Sequence, residues 1–209
     1  MSRVGGWMVM AVLLGLSLAS GAEAASSLVL PRAGQVGIGM QGQYGSMLKS
    51  GALGDEFGSG PGLSVRLRYR MRYERGLGLS FENQRLEARD PSSAQTAFSA
   101  LEDSAKRERL HMVTAGVDFY QFFDTRSKTV KHLNVGLGLA QISSRLSTVE
   151  IQYPIAGDGF YLSAGAGVER FFFRSWAYDI GTRYQAVFHD GKVNHDLQAS
   201  VGVILYMAY

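Results

Sequence analysis

Four arginines, Arg66, Arg68, Arg70 and Arg72, occupy every second position between Leu63 and Tyr73. The residues between them, Val65, Leu67, Tyr69 and Met71, are apolar or aromatic. A period of two sends successive side chains to opposite faces of a β-strand, so the guanidiniums share one face. Such a row could line a solvated groove for an anion or join a buried ion-pair network. The histidines His111, His132, His189 and His195 are the other groups suited to proton transfer near neutral pH. Acyl transfer would need one of them within hydrogen-bond reach of a nucleophile. No ligand set has the spacing of a metal site, and no cofactor is expected. The G-x-G pairs Gly37/Gly39, Gly76/Gly78, Gly136/Gly138 and Gly165/Gly167 invite comparison with phosphate loops. A phosphate loop follows a strand and opens a helix, whereas these fall inside expected strands or across a hairpin. Inward glycines that leave room for large side chains across a narrow interior fit them better.

The elements that must carry these groups are strands. Alternation predicts eight: 35–44, 63–73, 77–86, 110–122, 132–142, 160–171, 176–188 and 195–209. In each, one face is apolar and the other is polar or glycine. On the polar faces lie Arg66, Arg68, Arg70, Arg72 and Arg183, against Glu82, Asp118, Glu169, Asp179 and Asp196, so five cations meet five anions. A soluble sandwich would turn the apolar faces inward and the arginines to water. A membrane barrel would turn the apolar faces to lipid and the ions into the lumen. Eight strands enclose a space just wide enough for their own side chains, so the ions inside must be paired. With Glu74-Arg75-Gly76 as a three-residue hairpin loop, Tyr73 would oppose Leu77, and Arg68 would contact Glu82.

Connection lengths favour the barrel. Long loops are expected at 45–62, 87–109 and 143–159, the second a polar surface loop with room for a helical turn in 97–107. Short turns follow the second, fourth and sixth strands, and a six-residue loop at 189–194 precedes the eighth. Bacterial barrels sort short periplasmic turns from long external loops, and an even strand count would place both termini in the periplasm. Aromatics are expected as girdles. Tyr73, Phe119, Phe122, Phe123, Phe171, Phe172, Phe173, Trp176, Tyr178 and Tyr209 lie towards the periplasmic side, with Tyr44, Phe160, Tyr184 and Phe188 towards the outer side.

Residues 1–24 read as a cleaved secretory signal: Arg3, an apolar run from Trp7 to Leu18, and Ala22-Glu23-Ala24 as the cleavage site. The apolar run is too short to span a bilayer, which takes about 20 residues. Residues 25–209 are then one barrel domain, with no further domain expected. The 209-residue chain has no cysteine, so no disulfide staples it in an oxidising compartment, and a closed barrel leaves no strand edge to protect. A formal charge of +3 is too small to argue for nucleic acid, and mildly basic loops would suit an anionic lipopolysaccharide surface.

Together these features resemble the small bacterial outer-membrane barrel superfamily, the class of the transmembrane domain of outer membrane protein A and of outer membrane protein X. The resemblance implies an all-β, eight-stranded antiparallel up-and-down transmembrane barrel in a Gram-negative outer membrane. It also implies that the closing segment, with Ser200, Gly202, Leu205, Met207 and Tyr209, is an insertion signal read by the barrel-assembly machinery. The usual form of that signal stops two residues earlier, commonly at phenylalanine. Some relatives are lipid A deacylases or acyltransferases, but His111 is followed by Met112-Val113-Thr114 rather than the His-x-Ser arrangement of the deacylases. The expected function is a non-enzymatic, monomeric envelope barrel in contact with membrane lipids and lipopolysaccharide, its loops facing external partners. A lipid A hydrolase and a narrow porin-like channel are the alternatives.

Overall fold

The computed structural model describes residues 33–89, 109–145, 156–173 and 175–207. Eight strands form: β1 (Val36–Met47), β2 (Ser59–Arg70), β3 (Arg75–Glu87), β4 (Arg109–Phe123), β5 (Thr129–Arg145), β6 (Ala156–Phe171), β7 (Trp176–His189) and β8 (Lys192–Met207). Each pairs antiparallel with the next, and β8 pairs with β1, so the sheet closes on itself. At 12 to 17 residues the strands exceed the roughly 9–11 that a bilayer crossing requires.

The two faces sort as the alternation predicts. Leu77, Leu79 and Phe81 of β3 are exposed, while Ser80, Glu82 and Gln84 between them are buried. On β5, Leu133, Val135, Leu137 and Leu139 all point outward, Leu139 retaining 73% of its surface. Buried inside are Arg66, Arg68, Arg70, Arg183 and their carboxylate partners. This inversion matches a wall in contact with hydrocarbon and a sealed polar interior.

Several expectations are corrected. The β2–β3 turn spans residues 71–74, closed by the backbone N–H of Arg72 donating to Arg75 O at 3.0 Å. Tyr69 therefore opposes Leu77, and Ser64, not Arg68, opposes Glu82. Arg72 lies in that turn and is exposed, outside the lumen. The expected loop at 189–194 is only Asp190-Gly191, with His189 paired to Lys192. Both turn residues have positive φ, 50° and 70°, which is the left-handed backbone that Asp-Gly supplies to a tight hairpin. Within the first long loop, Ala52–Glu56 form one helical turn, α1. The stretch 97–107 of the polar loop, with its room for a helical turn, the signal in 1–24 and Tyr209 lie outside the described residues.

Phe122 and Phe171, expected in the girdle, are buried inside, because they share the inward parity of Asp118 and Glu169. The aromatics that do face outward at the short-turn end include Tyr69, Tyr73, Phe119, Phe123, Phe173, Trp176 and Tyr178.

Candidate functional site

The lumen is built in layers. At the short-turn end, Tyr120, Phe122, Val130, Phe171, Ala177, Ile204 and Tyr206 pack inward. At the long-loop end the inward positions also turn apolar: Met47, Leu86, Leu110, Met112, Ala140, Ile142 and Val187. Leu53 of α1 and Phe57 just after it insert into this cup. Two polar anchors hold the cap down. The Leu53 N–H donates to Asn194 Oδ1 at 3.0 Å, and Arg89 Nη2 donates to Met47 O at 2.7 Å.

Between these apolar ends lies the charge layer. Glu82 accepts from Arg66 Nη2 at 3.2 Å, Arg183 Nη1 at 2.5 Å and Gln185 Nε2 at 2.9 Å. Arg183 also bridges to Asp118. Arg68 joins Glu169 to Asp179, the latter at 3.1 Å, and Arg70 donates to Glu169 Oε2 at 2.8 Å. The Tyr206 hydroxyl donates to the same Glu169 oxygen at 2.8 Å. Gln41 Nε2 donates to Asp179 Oδ2 at 2.6 Å, and the His132 ring stands 3.5 Å from Asp179 Oδ1. Aromatic faces cover the guanidiniums: Arg68 Cζ lies 4.2 Å from the Tyr120 centroid, and Arg70 Cζ lies 3.9 Å from that of Phe122. Carboxylates and ring quadrupoles offset part of the lost hydration of Arg68 and Arg70, while Nε of both and Nη1 of Arg70 have no partner among the described residues.

Of the ten charged residues the sequence nominates, nine are buried in the lumen and Arg72 is not. Eight of the nine are joined by ion pairs. Asp196 is in none among the described residues; the amide of Gln198 donates to it at 2.9 Å. The Arg68–Glu82 contact does not form; Arg66 takes Glu82 instead. Nearly all partners lie across the lumen rather than on the adjacent strand, so hairpin register does not reveal them. Sequence reasoning also missed Gln41, Gln185, Gln198, Tyr120 and Tyr206 as network members. Their inward parity was visible, but not their partners.

The histidines divide. His132 and His189 are buried, whereas His111 and His195 stand half-exposed on the outward wall. His195 Nδ1 is hydrogen-bonded to the Tyr184 hydroxyl and the two rings stack. Of the residues expected to form the insertion signal, Ser200, Gly202, Leu205 and Met207 lie in β8. Among the described residues, no group of three or more His, Asp or Glu side chains is placed to hold a metal ion.

A closed eight-stranded up-and-down barrel, oily outside and ion-paired within, has the fold of the small outer-membrane β-barrels. Comparison with solved structures agrees. The chain is similar to the N-terminal barrel domain of OprF from Pseudomonas aeruginosa, at 13% identity and TM-score 0.55, covering 85% of this chain and 100% of that one. Neisserial surface protein A gives 16% identity and TM-score 0.57, covering 82% and 98%. OprG from Pseudomonas aeruginosa gives 12% identity and TM-score 0.54, covering 88% and 100%. No family model matches the chain, and no curated protein sequence matches it.

Proposed function

We propose that this chain is an integral outer-membrane barrel that works without catalysis, as an envelope component or a surface contact, with its long loops as the contact region. The observation that carries the reading is the pairing of an outward apolar wall with a lumen filled by ion pairs. Such a wall is stable only against acyl chains, and such a lumen has no room for a stream of solute. Residues 1–24 act as the export signal, cleavage follows Ala24, and the Ser200–Tyr209 segment addresses the chain to the assembly machinery. Both termini then face the periplasm. The fold of the similar structures supports the membrane assignment.

Membrane fractionation combined with gel migration before and after boiling tests it. The folded protein is expected in the outer-membrane fraction with a heat-dependent shift in migration. Release by osmotic shock with no such shift would overturn the reading. Planar-bilayer recordings should show no sustained conductance, and lipid A incubated with the refolded protein should lose no acyl chain.

A further inference from the structure

At the long-loop end, the outward wall of β3, β4 and β5 passes from apolar through one mainly polar row to a rim that carries two arginines. Phe81, Ala115 and Leu139 stand side by side in register, all exposed, with small Ala115 between two large neighbours. Directly above, Asn83, Val113 and Gln141 form the next outward row. The row beyond aligns Arg85, His111 and Ser143, and the last pairs Glu87 with Arg109. The register also sets Arg145 of β5 opposite Arg109. Arg85 and Arg109 are exposed, and neither is in an ion pair among the described residues. Residues opposite one another have Cβ atoms about 5 Å apart, and diagonal neighbours about 7–8 Å. Arg85, His111 and Arg109 therefore converge on one patch. Of the other outward rim positions on the strands, Ser46, Ser59, Pro61, Asp158, Phe188 and Val193 carry no positive side chain, while exposed Lys192 and the Tyr184-bonded His195 stand apart on β8.

We propose that this wall binds a phosphate-bearing lipid of the outer leaflet, its phosphate held by Arg85 and Arg109 and an acyl chain lying over Ala115 between Phe81 and Leu139. The inference rests on the membrane reading above. Guanidinium forks suit the tetrahedral oxygens of a phosphate. The exposed apolar row two positions below, reached past Val113, selects a ligand that carries anion and hydrocarbon together, which free phosphate does not. Ser143 supplies a hydroxyl beside the patch, and Glu87 stands opposite Arg109 in the register.

The test uses the processed chain folded in neutral detergent, with bound lipid counted by native mass spectrometry. Diphosphoryl lipid A is compared with its dephosphorylated counterpart, with inorganic phosphate as competitor. The phosphorylated form is expected to bind about tenfold more tightly, the order of one charge-assisted contact. The double variant Arg85→Gln/Arg109→Gln should erase that preference, while Arg85→Lys/Arg109→Lys keeps part of it. Lys131→Gln, which removes an exposed cation near the short turns, should change nothing. Equal binding of both lipids, an unaffected double variant, or an equal loss in Lys131→Gln would overturn the proposal. Inorganic phosphate displacing the lipid at matched concentration would also overturn it, by assigning a free-anion site. Each variant is first checked for the heat-dependent gel shift; a parent protein without that shift would instead sink the barrel reading.

Discussion

Replacing Glu169 by Gln removes the charge that two guanidiniums share while leaving the side chain's size unchanged. Glu169 is fully buried, and its oxygens take Arg68, Arg70 and the Tyr206 hydroxyl. Arg68 would keep Asp179 at 3.1 Å and the Tyr120 face. Among the described residues, Arg70 would keep the Tyr206 hydroxyl at 3.5 Å and the Tyr206 and Phe122 rings, with no other carboxylate in an ion pair with it. Removing one partner of a buried pair costs about 3–5 kcal/mol, because the remaining charge stays out of water. The Lys131–Asp124 pair at 2.9 Å, with both side chains more than half exposed, is worth no more than about 1 kcal/mol. The assay is urea unfolding of the protein folded in phospholipid vesicles. It is followed by the gel shift and by the emission of Trp176, which sits on the outward wall at 40% exposure. Glu169→Gln is expected to lose about 3–5 kcal/mol and Asp124→Asn less than about 1. Arg70→Met combined with Glu169→Gln should cost less than the two single changes summed, by about 1–3 kcal/mol, since it removes the stranded charge. A loss below about 1 kcal/mol with no coupling would mean that water reaches these groups, and the sealed-lumen argument would fail.

Depth on the outer wall gives a second prediction. Leu137→Arg, in the middle of the belt, should destabilise by about 2–4 kcal/mol, and Gln141→Arg near the rim by about 0–1, in the same vesicle unfolding measurement. Equal effects would argue that the wall meets water. Glycine substitutions should separate the faces. A Cβ on Gly138 would press on Gly116 Cα at 2.6 Å and Tyr161 Cε1 at 2.7 Å, whereas one on Gly42 meets nothing nearer than Val201 O at 3.9 Å. Gly138→Ala should cost about 1–3 kcal/mol and Gly42→Ala less than about 0.5, as read from denaturation midpoints. Phe57→Ala, which empties part of the mouth cup, should cost about 3 kcal/mol. It should still leave the barrel non-conducting in planar bilayers, because the charge layer lies beneath it.

Much of this was legible because a strand reports its own faces. Leu133, Val135, Leu137 and Leu139 declare one side of β5 without reference to any other strand. The same rule would have moved Phe122 indoors: Phe122 and Phe123 are consecutive, so one must point in, and Asp118 and Tyr120 say which. The hairpin register was a different matter. The expected Tyr73–Leu77 pairing and the observed Tyr69–Leu77 pairing differ by four residues. An even slip returns every side chain to the same face, so consistent faces could not choose between them. The alternation simply continues through Met71 and Tyr73, past the point where the backbone leaves the sheet. The loop at 189–194 was overestimated for the opposite reason: Lys192, Val193 and Asn194 pair readily once Asp190-Gly191 turns the chain.

What the amino-acid order determined by itself was parity, the sorting of each strand into an oily side and an ionic or small side, because that depends only on neighbours one and two positions apart. Closure of β8 onto β1 decided the rest. It brought Arg68 and Arg70 to Glu169 and Arg183 to Asp118, partners separated by 65 to 101 residues in the chain. It also set Asn194 of β8 where it anchors α1 in the mouth, whereas Arg72 stays outside because the local β2–β3 turn takes it. Pairing across a lumen depends on strand stagger and barrel circumference, which no local period encodes.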